Sequence, residues 1–242
     1  MRPLAIVTGA TGGIGFAISR CLAKSYAVVG TYNSSGEAAC QQWISEMEAD
    51  ARLVHMDIAD HESTTAVVEA TMSESGTPEV LVNCAGIAAD RYFSKMSFEE
   101  WERVIRTNLM ALFSVTQPVY RKMCEAGKGS IINISSVNGE RGQAGQANYC
   151  AAKAGMHGFT MALAREAARF GVRVNTVSPG YTATPMVSAI REDVQAQIIS
   201  GIPTGRFAEP AEIAAIVELL ASEKGAYFTG ANLHVNGGLH IG

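Results

Sequence analysis

The stretch LAIVTGATGGIG, residues 4–15, joins an apolar run to a glycine-rich turn and decides the fold. Its first half has the length and composition of a buried strand, and the residues after the turn follow helical spacing. Gly9, Gly13 and Gly15 allow backbone angles and close approaches that a Cβ atom blocks. Because a helix N-terminus at such a turn favours phosphate, the stretch predicts a dinucleotide cradle.

The glycine spacing alone leaves two interpretations open. It reads GxxxGxG instead of GxGxxG, and an ordinary tight connection between a strand and a helix has similar glycines. The rest of the chain favours the cradle, because six further apolar runs alternate with helical patterns. The runs cover residues 27–32, 52–56, 80–83, 130–135, 172–178 and 232–235, and the helical stretches cover residues 37–49, 61–75, 98–126, 149–169 and 210–222. This order predicts an α/β fold, a Rossmann-type doubly wound sheet of seven parallel strands with helices on both faces.

Length and composition indicate one domain over residues 1–242, with residues 181–209 as an excursion that we expect to form a substrate lid. Charged residues make up only 17% of the chain, which indicates that some surface lies in subunit contacts. The net charge of −4 and the lack of a basic run argue against a nucleic-acid partner. We find no signal peptide or membrane span, so we expect a cytoplasmic protein without a membrane partner. The five scattered cysteines predict reduced thiols, and we predict no metal site.

The second strand indicates which dinucleotide the cradle takes. NAD-binding domains of this layout commonly carry an acid about 20 residues after the glycines. Here Thr31, Tyr32 and Asn33 stand at the end of the strand, and the first acid is Glu37. Hydroxyls and amides can donate to a 2′-phosphate that a carboxylate would repel, so the sequence predicts NADPH. Asn and Ser are also common in turns, so a turn without any cofactor contact would explain these residues as well.

Tyr149 and Lys153 lie four residues apart in NYCAAKAG, residues 148–155, and therefore share one face of a helix. The spacing places a phenol beside an ammonium group. A core tyrosine with a lysine that reaches toward solvent would give the same spacing. The remaining motifs decide between these interpretations.

Several motifs together resemble those of the short-chain dehydrogenase/reductase family, in that family's order and over the full chain. They are TGATGGIG (8–15), NCAG (83–86), TNL (107–109), NISS (133–136), NYCAAK (148–153) and SPG (178–180). Cys84 departs from the second Asn that is usual in the family, whereas Asn83 is retained.

The resemblance implies a catalytic set of Asn108, Ser136, Tyr149 and Lys153. Tyr149 would donate a proton to the substrate carbonyl, and Lys153 would lower the pKa of that phenol from its usual value of about 10. Ser136 would hydrogen-bond the same carbonyl oxygen and share its developing charge. Asn108 would bend a helix locally and hold a water that relays protons to Lys153.

The resemblance also implies the contacts to the cofactor. These residues are Gly9, Thr11, Gly13, Ile14, Gly15, Thr31, Tyr32, Asn33, Asp57, Ile58, Asn83, Ala85, Gly86, Tyr149, Lys153, Pro179, Gly180, Thr182 and Thr184. Among them, Asp57 would accept a hydrogen bond from the adenine amino group. Thr182 and Thr184 would hold the nicotinamide carboxamide.

Within the family, NISSVNGERGQAGQANY and the ending VNGGLHIG resemble reductases of 3-oxoacyl thioesters. This implies a substrate carried on coenzyme A or on acyl carrier protein, with acetoacetyl-CoA expected first, and a homotetramer. Gln143, Gln146 and Tyr181 are the candidate substrate residues, although a solvated loop would also explain the glutamines. Basic residues that would meet the carrier's phosphates, unless they are ordinary surface residues, are Arg91, Lys95, Arg141 and Arg206.

Two other functions stay open at this point. A reductase of sugars, steroids or xenobiotic carbonyls would have the same fold and motifs. A catalytically silent dinucleotide-binding regulator would have the fold, but the complete catalytic set argues against it. Epimerases with an extended version of the fold share the Tyr and Lys spacing, but they carry a substrate domain for which this chain has no room.

Overall fold

The computed structural model describes residues 2–48 and 50–241. Within this range, seven strands form one all-parallel sheet in the order β3-β2-β1-β4-β5-β6-β7. The strands are β1 (Leu4–Val7), β2 (Ala27–Tyr32), β3 (Arg52–His55), β4 (Pro78–Asn83), β5 (Gly129–Ile134), β6 (Val172–Pro179) and β7 (Asn232–Val235). The predicted Rossmann-type sheet is confirmed.

The helices follow the predicted alternation. They are α1 (Gly13–Leu22), α2 (Glu37–Glu46), α3 (His61–Ser75), α4 (Phe98–Ile105), α5 (Ala111–Ala126), α6 (Asn138–Arg141), α7 (Ala147–Ala167), α8 (Pro185–Ser188), α9 (Glu192–Ser200) and α10 (Pro210–Ala221). The predicted helix 37–49 ends at Glu46, and its last residue, 49, lies outside the described residues. The predicted helix 98–126 is divided by a π-helical segment, Arg106–Met110.

Both faces of the sheet are buried, and β1 shows how. Ala5 and Val7 belong to an apolar cluster that includes α1 and α10, whereas Leu4 and Ile6 belong to a second cluster that includes α3, α5 and α7. Successive side chains of a strand point to opposite faces, so each face of β1 meets a layer of helices. This explains why the run LAIV is apolar throughout instead of alternating.

The strand order reverses beside β1, because β2 lies on one side of it and β4 on the other. In open parallel sheets, ligands bind outside the carboxyl ends of the strands at such a reversal. The glycine turn that follows β1 lies at this point of the sheet. The fold therefore places the predicted cradle where a dinucleotide is expected.

The excursion 181–209 is tied together at its base. The amide of Ala183 donates to the carbonyl of Ala208 at 2.8 Å, and the amide of Ala208 donates to the carbonyl of Tyr181 at 2.9 Å. Helices α8 and α9 lie between these points. Its action as a substrate lid stays a prediction. In the described part of the chain, every helix is too short or too polar to cross a bilayer.

Candidate active site

Three glycines in and after the turn that follows β1 have no room for a Cβ atom. Gly9 has a φ of +66°, and a Cβ atom on it would lie 2.8 Å from the Cα of Ala85. A Cβ atom on Gly15 would overlap the carbonyl oxygen of Gly9, and one on Gly13 would lie 2.7 Å from the Cγ2 of Thr184. Gly9 and Gly15 thus make close backbone approaches that glycine alone permits, and Gly13 packs against the side chain of Thr184.

The turn leads into the N-terminus of α1, which begins at Gly13. Among the described residues, no side chain caps this end of the helix, because the N-cap residue is Gly12. The first amide groups of a helix have no partner within the helix, and together with the helix dipole they favour an anion. The cradle therefore fits the diphosphate of a dinucleotide.

The ends of β1, β4 and β5 are joined by buried hydrogen bonds. The Thr8 hydroxyl accepts from the amides of Cys84 and Ala85 at 3.0 and 3.1 Å. The Asn83 amide group donates to Asn133 at 2.8 Å and to Thr116 at 3.0 Å. The Asn83 side chain is thus occupied within the protein, and it braces the floor of the crevice.

The end of β2 presents hydroxyl groups and an aromatic ring. The hydroxyls of Thr11 and Ser35 lie 2.6 Å apart, which joins the glycine turn to the loop after β2. The ring of Tyr32 packs edge-on against His55 of β3, with centroids 5.4 Å apart. Glu37, the first acid after β2, begins α2. Carboxylates are therefore absent from the residues that end this strand.

The predicted adenine side of the crevice lies after β3. Ile58 is buried, whereas Asp57 is exposed. An oxygen of the Asp57 carboxylate accepts from the amide of Ala59 at 3.0 Å, which fixes the side chain in a local turn. The contact of Asp57 to adenine stays a prediction.

Tyr149 and Lys153 lie on α7 and face the end of β5. The Lys153 Nζ atom lies 5.7 Å from the centre of the Tyr149 ring and donates to the carbonyl of Ile134 at 2.7 Å. The Ser135 hydroxyl donates to the carbonyl of Lys153 at 3.0 Å, which ties β5 to α7. The Ser136 side chain lies close enough to that of Tyr149 to favour its phenolate. The structure thus brings together three members of the predicted catalytic set.

Burial sets the pKa values of the pair. Burial raises the pKa of Tyr149 to about 12, and the neighbouring Ser136 side chain opposes this shift. Burial lowers the pKa of Lys153 to about 8. The net shift of the Tyr149 pKa is upward because desolvation of the phenolate outweighs the effect of Ser136. The consequence is a phenol that stays protonated at neutral pH, which is the form that can donate a proton. That Lys153 favours the phenolate stays a prediction.

Asn108 lies in the π-helical segment between α4 and α5 and is 2% exposed. Its side chain accepts from the amide of Ile87 and donates to the carbonyl of the same residue, both at 2.8 Å. A Cβ atom on Gly86 would lie 3.2 Å from the Asn108 Oδ1 atom and 3.6 Å from the Lys153 Nζ atom. The helix is locally distorted at Asn108, and the side chain lies near that of Lys153, as the family resemblance implies.

The segment after β6 packs across the glycine turn. The amide of Gly180 donates to Val235 at 2.9 Å, and a Cβ atom on Gly180 would lie 2.8 Å from the Cα of Asn236. Thr182 is buried and donates its hydroxyl to the carbonyl of Gly180 at 3.2 Å. Since Thr184 contacts the glycine turn at Gly13, this segment and the turn lie side by side. The contacts of Thr182 and Thr184 to the carboxamide stay a prediction.

The predicted substrate residues have different surroundings. Gln146 accepts from Asn138 at 2.9 Å and donates to Asp90 at 2.8 Å. Gln143 is exposed and accepts from Arg141 at 3.3 Å. Tyr181 packs against Phe207 in the excursion, with ring centroids 6.2 Å apart. Gln146 thus helps to hold the loop over the site.

Sequence reasoning missed two side chains that position this loop, Asn138 and Asn148. The Asn148 amide donates to the carbonyls of Ala89 and Glu100 at 3.2 and 3.1 Å, which anchors the start of α7. Asn148 stands next to Tyr149 in the sequence, and that position was the only signal for its role. Its partners lie far away along the chain, so no local pattern identifies them.

Two of the four candidate carrier contacts are paired with carboxylates. Arg91 donates to Glu100 at 2.7 Å. Arg206 donates through two nitrogens to Glu212, both at 2.7 Å. A phosphate at either arginine would compete with its carboxylate partner.

The chain matches the family model for short chain dehydrogenase over residues 3–195. It is 52% identical over 244 residues to the acetoacetyl-CoA reductase of Acinetobacter sp. (strain RA3849), with 99% of this chain and 98% of that protein covered. It is 48% identical over 242 residues to the acetoacetyl-CoA reductase of Cupriavidus necator, with 99% and 98% covered. The 3-oxoacyl-[acyl-carrier-protein] reductase FabG of Vibrio harveyi is 44% identical over 240 residues, with 98% and 97% covered. The chain therefore belongs to the short-chain dehydrogenase/reductase family.

Proposed function

We propose that this protein is an NADPH-dependent reductase that converts a 3-oxoacyl thioester into the (R)-3-hydroxyacyl thioester, with acetoacetyl-CoA as its principal substrate. The observation that carries the proposal is the packing of Tyr149 and Lys153 against the end of β5. The full-length similarity to acetoacetyl-CoA reductases supports the choice of substrate.

The reaction uses the protonated phenol of Tyr149 as its acid. The carbonyl oxygen of the substrate accepts hydrogen bonds from Tyr149 and Ser136, which stabilise the charge that develops on it. Tyr149 then transfers its proton to that oxygen, and the Lys153 ammonium group stabilises the phenolate left behind. Asn108 keeps the helix distortion beside Lys153, where a water can return the proton. When bound, the dinucleotide supplies the hydride that reduces the carbonyl carbon.

The choice of NADPH over NADH rests on the end of β2. The hydroxyls of Thr11 and Ser35 lie 2.6 Å apart, and Tyr32, the last residue of β2, brings no carboxylate. A 2′-phosphate in this place would accept hydrogen bonds from the hydroxyls without charge repulsion. The other predicted contacts to the dinucleotide belong to this proposal as well.

We expect Tyr32→Asp to weaken NADPH binding by about tenfold or more and to spare NADH, since a carboxylate repels the 2′-phosphate and accepts from a 2′-hydroxyl. The matched control is Tyr32→Asn, which removes the same ring without adding charge. Fluorescence titration of each variant with both dinucleotides measures the effect. An equal loss for both dinucleotides, or the same result in Tyr32→Asn and Tyr32→Asp, would mean that the 2′-phosphate lies elsewhere.

The substrate is tested by following the loss of nicotinamide absorbance with acetoacetyl-CoA and with acetoacetyl-acyl carrier protein. We expect a higher kcat/KM with the coenzyme A thioester. Higher efficiency with the protein-bound thioester would favour the second candidate, a 3-oxoacyl-[acyl-carrier-protein] reductase, which the 44% identity to the Vibrio harveyi protein supports. If neither thioester causes oxidation of NADPH or NADH, the enzyme acts on another carbonyl substrate.

We also propose a homotetramer in the cytoplasm. Large apolar side chains are exposed along the α4–α5 region and α7, at Phe98, Met110, Phe113 and Met161. Exposed apolar patches of this kind are typical of protein interfaces. The five cysteines are free, all within the described residues, as is usual in the cytosol. Sedimentation equilibrium should give the mass of four chains.

A further inference from the structure

Three potential metal ligands that do not belong to the predicted catalytic set meet beside the edge strand β7. Glu140 belongs to α6, His234 to β7 and His240 to the turn that follows. The Glu140 Oε2 atom lies 3.2 Å from the Nε2 atom of His234 and 3.1 Å from that of His240. One ligand atom from each residue lies within 4.8 Å of the others. The sequence predicted no metal site, because Glu140 is far from the two histidines along the chain.

The distances between the ligand atoms suit a cation with tetrahedral coordination. With bonds of about 2.0–2.1 Å from zinc to nitrogen and oxygen, neighbouring ligand atoms lie about 3.3 Å apart. The two distances from the carboxylate to the imidazoles are already close to this value. Two imidazoles and one carboxylate are ligands that Zn²⁺ and related transition-metal ions bind well, and they leave a fourth position for water.

The carboxylate is held in place by Asn232, whose amide nitrogen also lies 3.4 Å from the Nε2 atom of His234. The Asn232 amide group donates to the Glu140 Oε1 atom at 2.7 Å, which leaves Oε2 to face the histidines. The Ser178 hydroxyl donates to the Asn232 Oδ1 atom at 2.8 Å and fixes the orientation of that amide. Such outer partners orient ligands and strengthen metal binding.

The two imidazoles are arranged by the turn after β7. Gly237 and Gly238 have φ values of +62° and +87°, which reverse the chain. The Asn236 side chain accepts from the amide of Gly238 at 2.9 Å and donates to the carbonyl of His240 at 3.1 Å. As a result, the His240 ring stacks on that of His234, with centroids 5.5 Å apart and planes 24° apart.

The site is accessible but partly desolvated. The Glu140 side chain is 10% exposed, and those of His234 and His240 are 31% and 29% exposed. A cation can therefore enter from solvent, and it would neutralise a carboxylate that is largely removed from water. We propose that Glu140, His234 and His240 bind one divalent transition-metal cation of the Zn²⁺ type. The cation would tie α6, which follows Ser136, to the edge of the sheet.

The test is calorimetric titration of Zn²⁺ into the tag-free protein after treatment with a chelator. We expect one Zn²⁺ per chain, and binding at least about tenfold weaker in Glu140→Gln and in His240→Asn, as expected when a ligand is removed. The matched control is His61→Gln, which removes an exposed imidazole that pairs with Ser114 elsewhere in the fold. That variant should bind Zn²⁺ like the parent protein.

Thermal unfolding supplies a second readout that does not depend on activity. Zn²⁺ should raise the Tm of the parent protein and of His61→Gln, but not that of His240→Asn. A ligand that binds only the folded state stabilises it, and His240→Asn lacks one of the three ligands. The His240 side chain is 29% exposed, so this variant is expected to fold. Absence of stoichiometric binding would leave a hydrogen-bonded cluster only and overturn the proposal. Equal affinity in the parent protein and in His240→Asn would overturn it as well.

Discussion

Tyr149→Phe should lower kcat by roughly a thousandfold, a typical contribution of a positioned acid, while the affinity for the dinucleotide stays nearly unchanged. The substitution keeps the ring that packs 5.7 Å from the Lys153 Nζ atom and removes only the hydroxyl. Because burial raises the pKa of Tyr149 to about 12, the hydroxyl carries its proton at neutral pH, and no water in bulk solution replaces it as a positioned donor. Single-turnover reduction and fluorescence titration of the dinucleotide separate the two effects.

The matched control is Tyr227→Phe, which removes the hydroxyl of a fully exposed tyrosine. This variant should retain the activity of the parent protein. Full activity in Tyr149→Phe would refute the assignment of the proton donor. A loss of dinucleotide binding as large as the loss of turnover would instead make Tyr149 a binding residue.

The sheet and the glycine-rich cradle after β1 could be predicted from the sequence, because both depend on local chemistry. The uninterrupted apolar run LAIV predicts a strand buried on two faces, and β1 contributes to both apolar clusters. The glycines of the turn are required by contacts that a Cβ atom would block, which is a property of the residue type itself. The boundaries of most elements follow from the same local patterns.

The rest of the site depends on contacts between distant parts of the chain. The orientation of Asn108 is set by Ile87, on the loop after β4, and no spacing rule predicts that pair. The raised pKa of Tyr149 could not be predicted from sequence because the degree of burial is a property of the folded site. Glu140 and the two histidines likewise meet only through the tertiary fold.

Lys153→Met should remove activity and, at pH 7, make the protein more stable. Lys153 is 3% exposed, and burial lowers its pKa from 10.5 to about 8. A shift of that size corresponds to about 3 kcal/mol against the folded state at neutral pH. Met fills a similar volume without charge, but it leaves the carbonyl of Ile134 without its 2.7 Å donor, which costs about 1–2 kcal/mol. The expected net gain in the free energy of unfolding is therefore about 1–2 kcal/mol at pH 7.

The pH dependence identifies the cause of this gain. Below pH 8 the folded and unfolded states both carry the proton on Lys153, so the parent protein bears the full cost of the buried charge. Between pH 8 and 10.5 the unfolded state binds more protons than the folded state, so the stability of the parent protein rises with pH relative to that of Lys153→Met. The advantage of the variant should shrink by about 2 kcal/mol between pH 7 and pH 9.5.

Urea unfolding at one protein concentration and at both pH values measures this change. The control is Lys128→Met, which removes an exposed ammonium group paired with Glu79 and should show little pH dependence over the same range. A stability difference that is equal at pH 7 and pH 9.5 would mean that the Lys153 ammonium group is not desolvated in the native protein. A variant that is more stable yet inactive would show that the fold keeps a buried charge at a cost in stability because the reaction needs that charge beside Tyr149.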